Sequence, residues 1–215
     1  VRRDLDLVRE TGATMHFLHL STAGSVDLIR AAKKEGLPIT AEVTPHHISL
    51  RDEMLLGFNP LFKVNPPLRT AADIEALHEG LRDGTVDAVA TDHAPHAAHT
   101  KEMPLDEAPP GMLGLETALG VLCTAIPLEV QRIAELMSWN PARISRLDAR
   151  HGRRIAAGEP ANIAIWDTTT TWTVARQELA SLSSNTPFDG MTLRGKVHHT
   201  IFDGEIVVYE GKAQK

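Results

Sequence analysis

Three stretches of the chain end in side chains able to bind a metal or move a proton. They are His19-Leu20-Ser21-Thr22, Glu42-Val43-Thr44-Pro45-His46-His47 and Thr91-Asp92-His93-Ala94-Pro95-His96. Each closes a run that reads as a strand: Thr14 to His19, Ile39 to Val43 and Val86 to Thr91. A single strand-end histidine is more often a hydrogen-bonded structural group than a ligand. Three consecutive strands that all end in His or Asp point instead to a metal site, because imidazole nitrogen and carboxylate oxygen are usual zinc donors.

Side-chain alternation along a strand puts His16 and His19 on opposite faces. His19, at the strand end and on the face of Met15 and Phe17, is expected to be the ligand; His16 is expected to pack against outer helices. Asp92 follows the alternating run Val86 to Thr91, where a carboxylate can hold a metal and still exchange a proton with substrate. The plainer alternative is that Asp92 caps the next turn. In Leu61 to Arg69, Pro66-Pro67 stiffens the backbone, so Asn65 can present a fixed amide to the N–H and C=O of a cyclic imide or ureide. In Ala108-Pro109-Pro110-Gly111, glycine permits close backbone approach and offers an N–H where Pro110 offers only a carbonyl; an ordinary Pro-Gly turn is the competing explanation.

The elements around these groups alternate. Apolar spacing predicts helices over 1–10, 26–36 and 71–83, with Gly12 and Gly36 as C-terminal stops. Helix and strand in turn imply a parallel sheet with crossover helices. Three strands cannot close a barrel and would leave two raw edges as an open sheet, so further strands are expected before Val1. Helices are expected over Gly114 to Cys123 and Leu128 to Met137, with Asn140 as an N-cap before Pro141. From about His151 the texture changes to short strand-like runs: Asn162 to Trp166, Trp172 to Val174, Lys196 to Phe202 and Glu205 to Tyr209. Asp203-Gly204 between the last two is a hairpin signal. The expected organisation is residues 1–150 in one unit and 151–215 in a small β-rich one.

Of the 215 residues, 42% are hydrophobic and 23% charged, with a net charge of −6 and no basic block. That disfavours nucleic acid as a partner, since phosphate binding needs clustered Lys and Arg. The lone Cys123 cannot close an intrachain disulfide, which suits a reducing cytoplasm. No apolar run approaches the roughly 20 residues of a membrane span, and no signal peptide is expected behind Val1-Arg2-Arg3-Asp4.

Read in order, HFLHLST, ITAEVTPHHISL, FKVNPPLR, DGTVDAVATDHAPH, KEMPLDEAPPGMLGLET, SWNPARI and NTPFDGMTLRGKV resemble the bacterial dihydroorotases, relatives of hydantoinases and allantoinases. The resemblance covers almost the whole chain. It implies the C-terminal half of a (β/α)8 metal-dependent hydrolase barrel followed by a small, sandwich-like β domain. It further implies zinc, as a binuclear pair in the complete enzyme, and reversible cyclisation of N-carbamoyl-L-aspartate to L-dihydroorotate in pyrimidine synthesis.

By the same resemblance, His19 matches a zinc ligand, and Asp92 a zinc ligand that is also the catalytic acid/base. Asn65, His96, Pro110 and Gly111 match substrate-binding positions. The family's other metal ligands (an HxH pair, a bridging carboxylate and one more histidine) and an arginine for the substrate carboxylate have no counterpart here, and are expected in an N-terminal half. His46, His47 and His93 are expected to shape the mouth or support the ligands. Homo-oligomers, and association with aspartate transcarbamoylase, are expectations of the same origin. Two rivals stand beside this one: a hydantoinase- or allantoinase-like enzyme, and a catalytically silent subunit that scaffolds the transcarbamoylase.

Overall fold

The computed structural model describes residues 1–214. Its first half alternates as expected. Helix α1 (Arg2–Thr11) precedes strand β1 (Met15–Phe17); α2 (Ala23–Lys34) precedes β2 (Ile39–Val43); α3 (Ala71–Asp83) precedes β3 (Ala88–Val89). The strands form one parallel sheet in the order β1-β2-β3. Met15 pairs with Ile39, and Val43 with Val89.

Local chemistry sets the helix limits. Gly12 ends α1 at φ 69°. Thr22 caps α2 by accepting the Ser25 N–H. Thr70 and Asp73 close a reciprocal capping box on α3, satisfying donors that the first helical turn leaves free. Leu5, Val8, Val26, Ile29, Leu77 and Leu81 then pack on one sheet face against Phe17, Ile39, Ala41 and Val43.

That packing corrects one expectation. Phe17 faces the helices, so His16 does not. His16 lies on the opposite face, where Nδ1 meets Thr40 Oγ1 at 2.7 Å and Nε2 meets Glu42 Oε2 at 3.0 Å. The ladder stops at Phe17, so alternation cannot be carried on to His19.

The N-terminal end of the sheet is stapled. Lys33 Nζ donates to both carboxylate oxygens of Asp87 at 2.7 Å, and Asp87 also accepts the Ala41 N–H at 2.8 Å. Arg132 reaches the carbonyls of Leu81 and Val86. Asn140 donates to the Asp87 carbonyl.

Asn140 is therefore not an N-cap. It lies in a continuous helical run: α6 (Val130–Ala134), a π turn (Glu135–Trp139) and α7 (Asn140–Ile144). Pro141 lacks an N–H and would crowd the carbonyl one turn back; the wider π turn just before it accommodates this.

The expected strands at 162–166 and 172–174 are one strand, β4 (Ile163–Thr173), with an irregularity between Asp167 and Thr171. It pairs antiparallel with β5 (Thr192–Phe202), which continues into β6 (Glu205–Tyr209) and β7 (Lys212–Ala213). Asp203 at φ 49° and Gly204 at φ 88° turn the β5–β6 hairpin, as a two-residue loop of that kind requires. This is a single four-stranded antiparallel sheet; a second sheet facing it does not occur among the described residues.

A short helix α4 (Ala98–Lys101) and helix α5 (Ala118–Ala125) follow β3, and α5 joins the two regions. Arg194 donates its backbone N–H to Thr124 Oγ1 at 2.8 Å and its guanidinium to the Cys123 carbonyl at 2.7 Å. A second core of Leu50, Val64, Leu68, Met112, Phe188 and Leu193 lies beneath the loops beyond the strand ends. No described helix is long and apolar enough to cross a membrane.

Candidate active site

The C-terminal ends of β1 and β3 carry the two expected ligands in unusual backbone conformations. His19 sits at φ 37° and Asp92 at φ 46°, in the left-handed region that costs non-glycine residues of order 1–3 kcal/mol and clusters at functional sites. Asp92 follows two residues after Ala90, whose N–H bonds the Val43 carbonyl, and His19 lies between the end of β1 at Phe17 and Leu20, whose N–H bonds the Glu42 carbonyl. Both residues thus lie past the last paired residues of their strands. Neither makes a side-chain hydrogen bond or ion pair among the described residues. Asp92 is exposed and caps nothing, so the plain capping explanation has no contact behind it.

His46 and His47 lie beneath them, buried and with ring centroids 4.5 Å apart. Burial pushes the His47 imidazole down to about 4, and the charges of both His19 and Asp92 reach it. Burial, with the neighbouring charges of His47 and His19, lowers His46 to about 2. Both rings are neutral near pH 7. His47 is a strut: Nδ1 meets Thr44 Oγ1 at 2.8 Å and Nε2 donates to the Pro66 carbonyl at 2.8 Å. It ties the end of β2 to the loop that carries Asn65. The Asn65 side chain is exposed and makes no hydrogen bond among the described residues.

His96, Pro110 and Gly111 do come together. His96 Nε2 meets the Pro110 carbonyl at 3.1 Å. Gly111 has φ 130°, and a Cβ there would stand 2.7 Å from Ala94 Cβ and 2.8 Å from His96 Nε2. Only glycine fits. Its N–H, expected to face a ligand, instead donates to the Lys63 carbonyl at 2.9 Å. That bond joins this loop to the one bearing Asn65.

Sequence reading missed the groups that hold these loops. Lys63 Nζ donates to the Leu105 and Asp106 carbonyls, and the buried Lys101 ammonium to those of Pro60 and Pro109. His93, by contrast, was expected in a supporting role, and its Nδ1 accepts the N–H groups of Gly114 and Leu115. The Asn185 side chain spans Ala94, His96 and Gly111. The only signal for Lys63, Lys101 and Asn185 was position inside the stretches FKVNPPLR, KEMPLDEAPPG and NTPF.

The donor chemistry fits a divalent metal of the zinc kind: an imidazole and a carboxylate, both without protein partners. Beside them, His46 Nε2 is buried with no hydrogen-bond partner, and such a group ordinarily costs about 1–3 kcal/mol. An ionic or polar partner above it suits that atom. Two donors are fewer than the three or four protein ligands of a typical zinc site. No group of three or more His, Cys, Asp or Glu able to hold a metal occurs among the described residues.

Known proteins give the same picture. The model of the amidohydrolase family matches residues 2–207. The dihydroorotase of Streptomyces coelicolor is 46% identical over 99% of this chain, and that of Mycobacterium tuberculosis 47% over 99%. This chain spans about half the length of these curated relatives, 50% in both cases. Among solved structures, the L-hydantoinase (dihydropyrimidinase) of Arthrobacter aurescens superposes with a TM-score of 0.91 at 29% identity, over all of this chain and 49% of that one. A dihydropyrimidinase from Brevibacillus agri superposes at 0.88 with 22% identity, a likeness of fold. Parallel strands that end in an imidazole and a carboxylate, glycine-tight loops beyond them, and a family match along nearly the full length lead to one conclusion: the chain belongs to the amidohydrolase family.

Proposed function

We propose that this chain forms the C-terminal half of a dihydroorotase, a zinc-dependent enzyme that interconverts N-carbamoyl-L-aspartate and L-dihydroorotate in pyrimidine synthesis in the cytoplasm. The carrying observation is that His19 and Asp92, at the ends of two strands of one sheet, both sit in left-handed backbone without a protein partner. The identity of 46–47% to two dihydroorotases supports the choice of substrate. On this reading β1 to β3 are the last strands of a (β/α)8 barrel, whose loops at this end carry the chemistry. Residues from about 151 form a second, β-rich domain. Further metal ligands, and the group that pairs with His46 Nε2, come from other parts of the enzyme.

His19 and Asp92 would hold the metal, which when bound acts as a Lewis acid on the ring carbonyl and lowers the pKa of water to about 7. The rest falls to the chain's own groups. In hydrolysis, water adds to the ring carbonyl carbon and the ring C–N bond breaks. Asp92 takes the proton from the water and delivers it to the departing nitrogen; cyclisation runs the same path backwards. His96 holds the substrate carboxylate. The free Asn65 amide reads the ring N–H and C=O. The Pro110-Gly111 backbone forms the wall against which the ring lies.

A hydantoinase-like activity is the second reading, favoured by the 0.91 superposition on the Arthrobacter aurescens L-hydantoinase. Assay of the full-length protein separates them: turnover of dihydroorotate supports the first, and turnover of hydantoin without dihydroorotate the second. No turnover of either, with no bound zinc, would fit a silent subunit that scaffolds aspartate transcarbamoylase. Homo-oligomer formation is proposed from kinship and is read by light scattering.

A further inference from the structure

The segment between β4 and β5 enters the site from the far region of the chain. Asn185 is 3% exposed and uses each polar atom of its side chain. Oδ1 accepts the His96 backbone N–H at 3.0 Å. Nδ2 donates to the Ala94 carbonyl at 2.9 Å and, more weakly, to the Gly111 carbonyl at 3.4 Å. The Asn185 carbonyl also accepts the Leu113 N–H at 3.1 Å. The segment itself is anchored by buried Phe188, whose N–H donates to Thr186 Oγ1.

This one side-chain amide therefore bridges two loops, 94–96 and 110–111, that bear His96 and the Pro110-Gly111 wall. No other residue type satisfies the pattern. Aspartate keeps the acceptor and loses both donors, and puts charge against two carbonyls. Serine is too short and glutamine one methylene too long.

We propose that Asn185 is the positioning residue of the substrate side: it sets the register of His96 against Pro110-Gly111 and so governs substrate affinity, while the His19–Asp92 side works independently of it. The inference rests on the dihydroorotase reading and concerns a residue which that reading does not use.

The test compares three variants of the zinc-loaded, full-length protein: Asn185→Ala, Asn185→Asp and Thr186→Val. The third removes a buried hydroxyl from the same segment that, among the described residues, makes no hydrogen bond to either loop. Both Asn185 variants are expected to raise KM for dihydroorotate about tenfold or more with kcat within about threefold, the pattern of lost ground-state binding. Bound zinc should stay at the wild-type level. Thr186→Val should lower the melting temperature and leave KM unchanged. The inference is overturned if KM does not move in the Asn185 variants, if Thr186→Val moves it equally, or if kcat and zinc fall together. If Asn185→Ala does not fold, the near-isosteric Asn185→Asp decides. Wild-type protein that fails to turn over dihydroorotate removes the functional reading itself, and this inference with it, a result distinct from a normal wild type with an unmoved KM.

Discussion

The two ends of the parallel sheet are built from similar residues and do opposite things with them. At the N-terminal end, Asp87 is fully engaged: Lys33 and the Ala41 N–H share its carboxylate, while Asn140 takes its carbonyl. At the C-terminal end, Asp92, five residues on, has no partner and a backbone conformation that aspartate adopts at a cost. One carboxylate is invested in holding strands together. The other is kept available. Along β1 a paired and an unpaired group likewise stand close together: His16, within the strand, is bonded to Thr40 and Glu42, and His19, beyond it, to nothing described. On the proposed reading, structural contacts and chemistry lie at opposite rims of one sheet, as in a barrel that works at its C-terminal face.

Substitutions at each rim test that division. The largest effect is expected for Asp92→Asn: a fall in kcat of on the order of 10²–10⁴, the usual worth of a positioned acid/base, with an unchanged or slightly raised melting temperature. Near-normal turnover would remove the role assigned to Asp92. Gly111→Ala comes next. Its Cβ would meet Ala94 and His96 at under 3 Å, so stability should fall by about 1–3 kcal/mol and KM should rise with it, read by denaturant titration and steady-state kinetics.

Lys33→Met belongs to the other rim. It strands the half-buried Asp87 carboxylate and should cost about 1–3 kcal/mol with kcat and KM unchanged; altered kinetics would mean that the rims are coupled. A last test concerns pH. Unfolded His46 and His47 take up protons near 6.5, while the folded rings do so only near about 2 and about 4. Below pH 6.5 the unfolded chain binds more protons, so folding stability should decline as pH falls from 6.5 toward 4 and be flat above 6.5. His47→Gln should shallow that decline in urea titrations of metal-free protein. An unaltered slope would place the titration elsewhere.

Much of the frame is legible in the residues alone. Helix 71–83 and strand 39–43 follow from periodicity and caps, and the Asp203-Gly204 hairpin from turn chemistry. The two short strands are less so: β1 and β3 stop before His19 and Asp92 because the chain turns into left-handed backbone there, which no periodicity announces. His16 was assigned to the wrong face because alternation was anchored on His19, already outside the ladder; Phe17, the core residue, was the sounder anchor. Asn185 was illegible for a different reason. Its partners lie 89 and 91 residues away, and a lone asparagine in a loop says nothing of what it will meet.

The left-handed backbone at 19 and 92 also bears on how such a chain would drift. Glycine occupies that conformation more readily than histidine or aspartate. On the dihydroorotase reading, a copy released from turning over substrate would gain stability by accepting glycine at either position, so the groups that hold the metal are the ones that stability alone would exchange first.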